Sequence, residues 1–314
     1  MRVVVFGDQQ RVGALQDGYV VDLNRASERL PARLDEFIAG GQANLDEAQR
    51  AIERALKGTA GPETDVLRRE KDARIHAPWP MRRVACVGGN YAAPLMGLEA
   101  GRGGEGEVTL ESITQKTRAA GQWGFWKVPA EVAGPDDEVP YPKRTEYFDY
   151  EGEVAIVLGK RIKDASASQL ADCVWGVTLL NDWSIRDGMT PSSRPMSYNL
   201  AKNFDGSTSM GPCIVVGELD PTNVDLQLRL NGTLRQEYNT RDMIFSFGEV
   251  LEYLSRDFTF VPGDVIAGGT SVGTAADQTR RAANGSRPKD LFLKVGDVVE
   301  ISSPSIGVLR NRIV

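Results

Sequence analysis

Apolar positions in the first part of the chain change period twice. Residues 3–6, 13–15 and 19–23 are short blocks of strand type, and Asp17-Gly18 supplies the positive-φ hairpin turn before the third. The spacing of Leu34, Phe37 and Ile38 then predicts a helix. Leu45, Ala48, Ile52, Ala55 and Leu56 predict a second, capped by Asn44 and ended by Gly58. Residues 59–72 are polar, contain Gly61-Pro62 and lose the periodicity, which puts a domain boundary near residue 72.

Residues 73–314 carry mostly period-two or continuous apolar blocks. Strands are expected at 84–87, 154–158, 174–182, 211–216, 226–231, 264–266, 297–301 and 307–309, with a second hairpin at Asn231-Gly232 and one clear helix around 247–256. Residues 97–122 interrupt this pattern with clustered glycines ahead of an amphipathic helix at 110–118. Such a segment is either a lid over a site or a solvated insertion. The fold class expected is predominantly β (α+β), with a small N-terminal α+β domain at 1–72 and a large β domain at 73–314.

Composition narrows the function classes. With 314 residues, 41% of them hydrophobic, the chain can bury a sizeable core. Its 37 basic and 43 acidic residues give a net charge of -6, so no global basic field invites nucleic acid or an anionic membrane. Cys86, Cys173 and Cys213 are far apart in apolar stretches, which fits buried reduced thiols better than disulfides or a zinc site. No signal-peptide pattern opens the chain and no apolar run approaches the ~20 residues of a membrane span, so a cytoplasmic protein is expected.

The chemistry is concentrated in Asp149-Tyr150-Glu151-Gly152-Glu153, which precedes the run Val154-Ala155-Ile156-Val157-Leu158-Gly159. In a strand, carboxylates at 149, 151 and 153 project to one face. They are either the solvated side of an edge strand or the ligands of a hard divalent cation, which turns their repulsion into coordination. A further acid, Asp182, ends the apolar strand Val174-Trp175-Gly176-Val177-Thr178-Leu179-Leu180-Asn181, and that second acidic strand end favours Mg²⁺, Mn²⁺ or Ca²⁺. A 2-oxo acid, a small carboxylate substrate, can complete the shell through its carboxylate and keto oxygens. Gly268-Gly269 opens no phosphate loop, because no G-K-[ST] follows it.

Four ordered segments resemble the core signature of the fumarylacetoacetate hydrolase family: D-Y-E-G-E-V-A-I-V-L-G, V-W-G-V-T-L-L-N-D-W-S-I-R-D, A-K-N-F-D-G-S-T-S-M-G-P and V-P-G-D-V-I-A-G-G-T-S-V-G. The resemblance runs from about residue 80 to the end. It implies a mixed β-sandwich/β-roll catalytic domain and a homodimer, with Glu151, Glu153 and Asp182 as metal ligands. It also implies Lys202 as the lysine that neutralises developing charge and Thr270 as the threonine facing the substrate carboxylate. Asn90 and Tyr91 belong with the substrate-facing groups. Arg186 is placed there too, and it and Asp187 are expected to pair with each other or with neighbouring groups and so hold Asp182 in place. Asp149 is a water-mediated neighbour of the ion or a solvated charge.

The chain also departs from that family. Hydrolytic members carry a water-activating histidine and glutamate after the Asn-Tyr pair, where this chain has Pro94 and Gly97. Proline has no ionisable side chain. Met189 stands where a polar glutamine often assists. The other candidate bases are His76, Glu99, Glu105, Glu107 and Glu111, for which structural or surface roles are the ordinary expectation. The first expectation is a metal-dependent hydrolase of C–C bonds in a 2-oxo or diketo acid. A lyase or isomerase of a 2-keto acid is the alternative, since enolate chemistry survives loss of a water-activating pair. A ligand-binding member without activity and a purely structural β protein are the remaining readings.

Overall fold

The computed structural model describes residues 1–57, 65–80, 82–100, 108–187, 195–279 and 287–314. Its strands are β1 (Arg2–Phe6), β2 (Arg11–Gln16), β3 (Tyr19–Asp22), β4 (Leu67–Arg69), β5 (Ile75–His76), β6 (Val84–Gly88), β7 (Trp123–Lys127), β8 (Glu138–Val139) and β9 (Phe148–Asp149). They continue with β10 (Gly152–Leu158), β11 (Val174–Asp182), β12 (Ser184–Ile185), β13 (Thr208–Val216), β14 (Asp225–Leu230), β15 (Thr233–Asn239), β16 (Val265–Ala267), β17 (Val298–Ser303) and β18 (Gly307–Ile313). The helices are α1 (Leu23–Ala26), α2 (Leu34–Ala39), α3 (Gly41–Lys57), α4 (Ala92–Ala100), α5 (Leu110–Ala120), α6 (Leu170–Cys173), α7 (Pro195–Lys202), α8 (Phe247–Leu254) and α9 (Ala275–Gln278).

Eleven strands form one sheet in the order β4-β3-β2-β1-β13-β11-β10-β16-β6-β7, with β5 beside β1. A five-stranded sheet, β15-β14-β17-β18-β8, and the ribbon β12-β9 complete the fold. This is the predominantly β architecture with helices that the patterning predicts. β1 pairs antiparallel with β13, so the N-terminal strands and the larger region share one sheet.

The middle strands of that sheet are covered on both faces, which is why they read as continuous apolar runs. On β10, Val154, Ile156 and Leu158 enter a core with Leu226, Leu228 and Ile301 of the five-stranded sheet. Ala155 and Val157 enter the opposite core with Phe37, Ile38 and Ile52 of α2 and α3. Both predicted hairpins form with positive φ at their two turn residues, Asp17 (52°) with Gly18 (78°) and Asn231 (51°) with Gly232 (78°).

Two local expectations are corrected. Asn44 does not cap α3, which already starts at Gly41; its amide nitrogen donates to the Phe37 carbonyl at 3.0 Å and ties α3 to α2. The glycine cluster after residue 97 is preceded by α4, whose Ala-, Leu- and Met-containing run the glycines mask in the sequence. Residues 101–107 lie outside the described residues, and with them the choice between lid and insertion. α5 forms as expected, with Thr109 capping the Ser112 amide. Cys86, Cys173 and Cys213 are buried free thiols, and no described helix is long and apolar enough to cross a membrane.

Candidate metal centre

The site forms where two strand ends meet. β10 runs antiparallel to β11 with Gly152 opposite Asn181 and Glu153 opposite Leu180, so the start of one strand lies against the end of the other. The Asp182 amide donates to the Glu151 carbonyl at 2.9 Å, and the Asn181 side chain accepts from the Glu151 amide at 3.0 Å. These bonds bring ligand oxygens of Glu151, Glu153 and Asp182 within 4.8 Å of one another, on three buried residues. By strand alternation Glu153 and Asp182 share the sheet face of Ala155 and Leu180, the face of the second core.

The acidic segment is not one continuous strand, which corrects the single-face expectation for 149, 151 and 153. β9 ends at Asp149, β10 begins at Gly152, and the two belong to different sheets. Side-chain bonds replace ladder bonds at the break, including Tyr150 to the Gly273 carbonyl at 3.1 Å. Nor does Asp149 face solvent. It is buried, accepts from the amides of Tyr150, Ala275 and Ala276 at 2.9, 2.9 and 3.0 Å, and takes Arg186 Nε at 2.8 Å.

From there charges alternate. Arg186 Nη2 donates to Glu151 Oε1 at 2.6 Å, and Lys202 Nζ donates to Glu151 Oε2 at 2.5 Å, Asp182 Oδ2 at 2.6 Å and Ser184 Oγ at 2.7 Å. Lys127 Nζ donates to Asp182 Oδ1 at 2.5 Å. Arg186 therefore pairs with Asp149 and Glu151 rather than with Asp187, which accepts from the Thr145 hydroxyl. Lys202 is no solvated lysine: it is 2% exposed, at the end of α7.

Electrostatics follow from this order. Burial opposes the Lys202 ammonium, yet Asp182 and Glu151 outweigh it and hold the group above the ordinary lysine range. Burial likewise opposes the Asp182 carboxylate, and Lys127 and Lys202 together bring its pKa below the usual value. Glu153 goes the other way, pushed well up by burial and then by Asp182 and Glu151. Among the described residues no cation bonds Glu153; its Oε2 accepts the Gly269 amide at 2.9 Å. That position requires glycine, because φ is +88° and a Cβ would lie 2.9 Å from the Val87 carbonyl oxygen.

The remaining sequence candidates sit around this core. Thr270 Oγ donates to the Gly152 carbonyl at 2.9 Å and accepts from Gln236 Nε2 at 2.8 Å. Asn90 is wholly buried and braces two segments, donating to the carbonyls of Phe245 and Gly268 at 3.0 Å each and accepting the Phe245 amide at 2.8 Å. Tyr91 is buried edge-on against Tyr238, 4.9 Å between ring centroids. His76 lies in β5 with Nε2 3.0 Å from the Gly7 carbonyl. Glu99 pairs with Lys116 at 2.5 Å, and Glu111 accepts from Gln115 at 3.3 Å. Glu105, Glu107 and Met189 lie outside the described residues, while Pro94 is in α4.

Lys127 is the residue that sequence reasoning missed. A usable signal was present, since in Trp123-Gly124-Phe125-Trp126-Lys127 the lysine shares a strand face with Phe125, an inward position where a charge needs an explanation.

The donor set fits a hard divalent cation. Every candidate ligand atom is a carboxylate oxygen, and each carboxylate has about four lone-pair sites, so the bonds to lysine and arginine leave room for coordination. Among the described residues, Asp149, Glu151 and Asp182 are paired with Lys127, Arg186 and Lys202, and Glu153 has no cation on it.

A family model for the fumarylacetoacetate (FAA) hydrolase C-terminal region matches residues 83–314. The chain is 31% identical over 322 residues to the human mitochondrial oxaloacetate tautomerase FAHD2B, covering 100% of this chain and 92% of that protein. It is 31% identical over 313 residues to the oxaloacetate tautomerase YisK of Bacillus subtilis, covering 95% and 94%. Fumarylacetoacetate hydrolase from Exiguobacterium antarcticum superposes with a TM-score of 0.74 at 28% identity, covering 100% of this chain and 99% of that one. A maleylpyruvate hydrolase from Sphingobium sp. SYK-6, solved with manganese(II) and pyruvate, shares the fold with a TM-score of 0.73 at 23% identity, covering 100% and 99%. The chain belongs to the fumarylacetoacetate hydrolase family of enzymes.

Proposed function

We propose that this enzyme interconverts the enol and keto forms of a small 2-oxo acid of the oxaloacetate kind, with a divalent ion held by Glu151, Glu153 and Asp182. The observation that carries this reading is the buried trio of carboxylates flanked by ammonium groups, in a chain with proline at position 94. Two relatives named as oxaloacetate tautomerases support it. The manganese and pyruvate of the Sphingobium protein support the ion and the ligand class.

When bound, a Mg²⁺ or Mn²⁺ ion supplies Lewis-acid polarisation of the 2-oxo group. Lys202, held protonated on Glu151, Asp182 and Ser184, fixes the spacing of two of the ligands. Arg186 fixes the outer oxygen of Glu151 from its anchor on Asp149. Tautomerisation moves a proton between carbon and oxygen and needs no activated water, so a non-ionisable residue at 94 is compatible with it. C–C hydrolysis, the commoner family label, needs that water.

The test follows decay of enol oxaloacetate by ultraviolet absorbance, beside acetylpyruvate cleavage, with Mn²⁺ or chelator. Wild type is expected to accelerate enol decay with Mn²⁺ and to leave acetylpyruvate intact, and Asp182→Ala to lose roughly a hundredfold or more of the acceleration. Pro94→His is expected to gain acetylpyruvate cleavage. Rapid acetylpyruvate cleavage by wild type without enol–keto acceleration would contradict the proposal and return the hydrolase reading.

A further inference from the structure

A buried ammonium loses water from three N–H donors, so it is ordinarily held by several acceptors. Lys202 obeys this rule, with its three donors on Glu151, Asp182 and Ser184 at 2.5, 2.6 and 2.7 Å. Lys127 does not. It is 0% exposed, yet among the described residues its Nζ has a single acceptor, Asp182 Oδ1 at 2.5 Å. Two donors of a fully desolvated cation thus have no acceptor among the described residues, a state that costs free energy unless something else accepts them.

The position of those donors limits what that acceptor is. They are one hydrogen bond from a carboxylate of the trio, on β7 at the edge of the large sheet, where Lys127 lies opposite Val84. Phe125, two residues earlier on the same strand face, has its ring centroid 5.1 Å from Lys202 Nζ, so β7 borders the carboxylate cluster over more than one residue. Among the described residues no second carboxylate accepts from Lys127: Glu151 bonds Arg186 and Lys202, and Glu153 takes the Gly269 amide. An anionic oxygen of a ligand at the trio meets the requirement.

We propose that Lys127, rather than Lys202, is the ammonium that binds an anionic oxygen of the 2-oxo acid, while Lys202 holds the ligand carboxylates in register. This assignment rests on the 2-oxo acid reading above. It moves to Lys127 the charge-neutralising role that the resemblance implies for Lys202, and it gives the aromatic strand Trp123–Lys127 a part in substrate recognition.

Oxalate, a planar dianion resembling the carboxylate and oxygen pair of a 2-oxo acid, is the probe. Calorimetric titration gives Mn²⁺ affinity first and oxalate affinity at saturating Mn²⁺ second. For Lys127→Met the oxalate affinity is expected to fall roughly ten- to a hundredfold with Mn²⁺ affinity held within about threefold. Lys202→Met is expected to weaken Mn²⁺ binding itself. Lys127→Arg, which keeps the charge, is expected to recover part of the oxalate affinity, and Lys127→Gln supplies the comparison if the methionine variant does not fold. Wild-type oxalate affinity in the Lys127 variants, or an equal fall of Mn²⁺ and oxalate affinity, would overturn the assignment alone. Failure of the Mn²⁺-loaded wild type to bind oxalate would overturn the 2-oxo acid reading and this assignment with it.

Discussion

Two clusters of carboxylates and cations in this molecule serve opposite ends. On α3, Glu47 accepts from Ser27 at 2.7 Å, Arg54 at 3.0 Å and Arg50 at 2.9 Å, and Ser27 first, then the arginines, bring its pKa down to about 2. The arginine side chains are 59% and 57% exposed, whereas those of Lys127 and Lys202 are 0% and 3% exposed. Water can replace the partners of Arg50 and Arg54, but nothing replaces those of the buried lysines. A solvated knot of charges fastens one helix to its neighbour. A buried one depends wholly on its own stoichiometry, and any unmatched charge or donor in it points to a ligand.

The sharpest way to break the contrast is Asp182→Ala. It leaves Lys127 without its acceptor and Lys202 with two of three, so a loss of about 3–5 kcal/mol is expected by urea denaturation. A loss no larger than that of Glu47→Gln would mean the lysines are not buried as described. Next in size is the response to metal. At a hundredfold excess over Kd, Mn²⁺ should add about 2.7 kcal/mol to wild type. The melting temperature of Glu47→Gln should rise in parallel, and that of Glu153→Gln should stay flat. In chelator, by contrast, Glu153→Gln should be at least as stable as wild type, because the change removes a buried carboxylate that has Asp182 and Glu151 as neighbours and no described cation on it. Destabilisation there would reveal a partner for Glu153.

The smallest effect is an acid one. The folded pKa of Glu47, about 2, lies below its ordinary 4.5, so its stabilisation is complete above 4.5 and is lost as pH falls towards 2. Between those limits the stability of wild type should fall more steeply with acid than that of Glu47→Gln, measured by denaturation at each pH. Parallel curves would show that the arginines do not hold the carboxylate.

The same contrast explains what was legible in the sequence. The trio could be read because its members end or begin apolar strands, and Asp17-Gly18 and Asn231-Gly232 because positive φ restricts residue choice. Lys202 was legible only inside its motif. Lys127 was legible only as a charge on the strand face of Phe125, since its partner lies in a different strand and nothing local pairs with it. The break between β9 and β10 was hidden too, because it depends on Gly273 and Asn181, which reach that segment from elsewhere in the chain. Asp149 had the sequence signature of a ligand and became an anchor for Arg186 and the start of α9.

The account stands most directly on whether the trio holds an ion. Titrating purified protein with Mn²⁺ and counting bound ions, for wild type and for a Glu151→Gln, Glu153→Gln and Asp182→Asn triple variant, settles it. One ion per chain in wild type and none in the triple variant is the expected result; no ion in either, or the same ion count in both, would contradict the assignment of Glu151, Glu153 and Asp182.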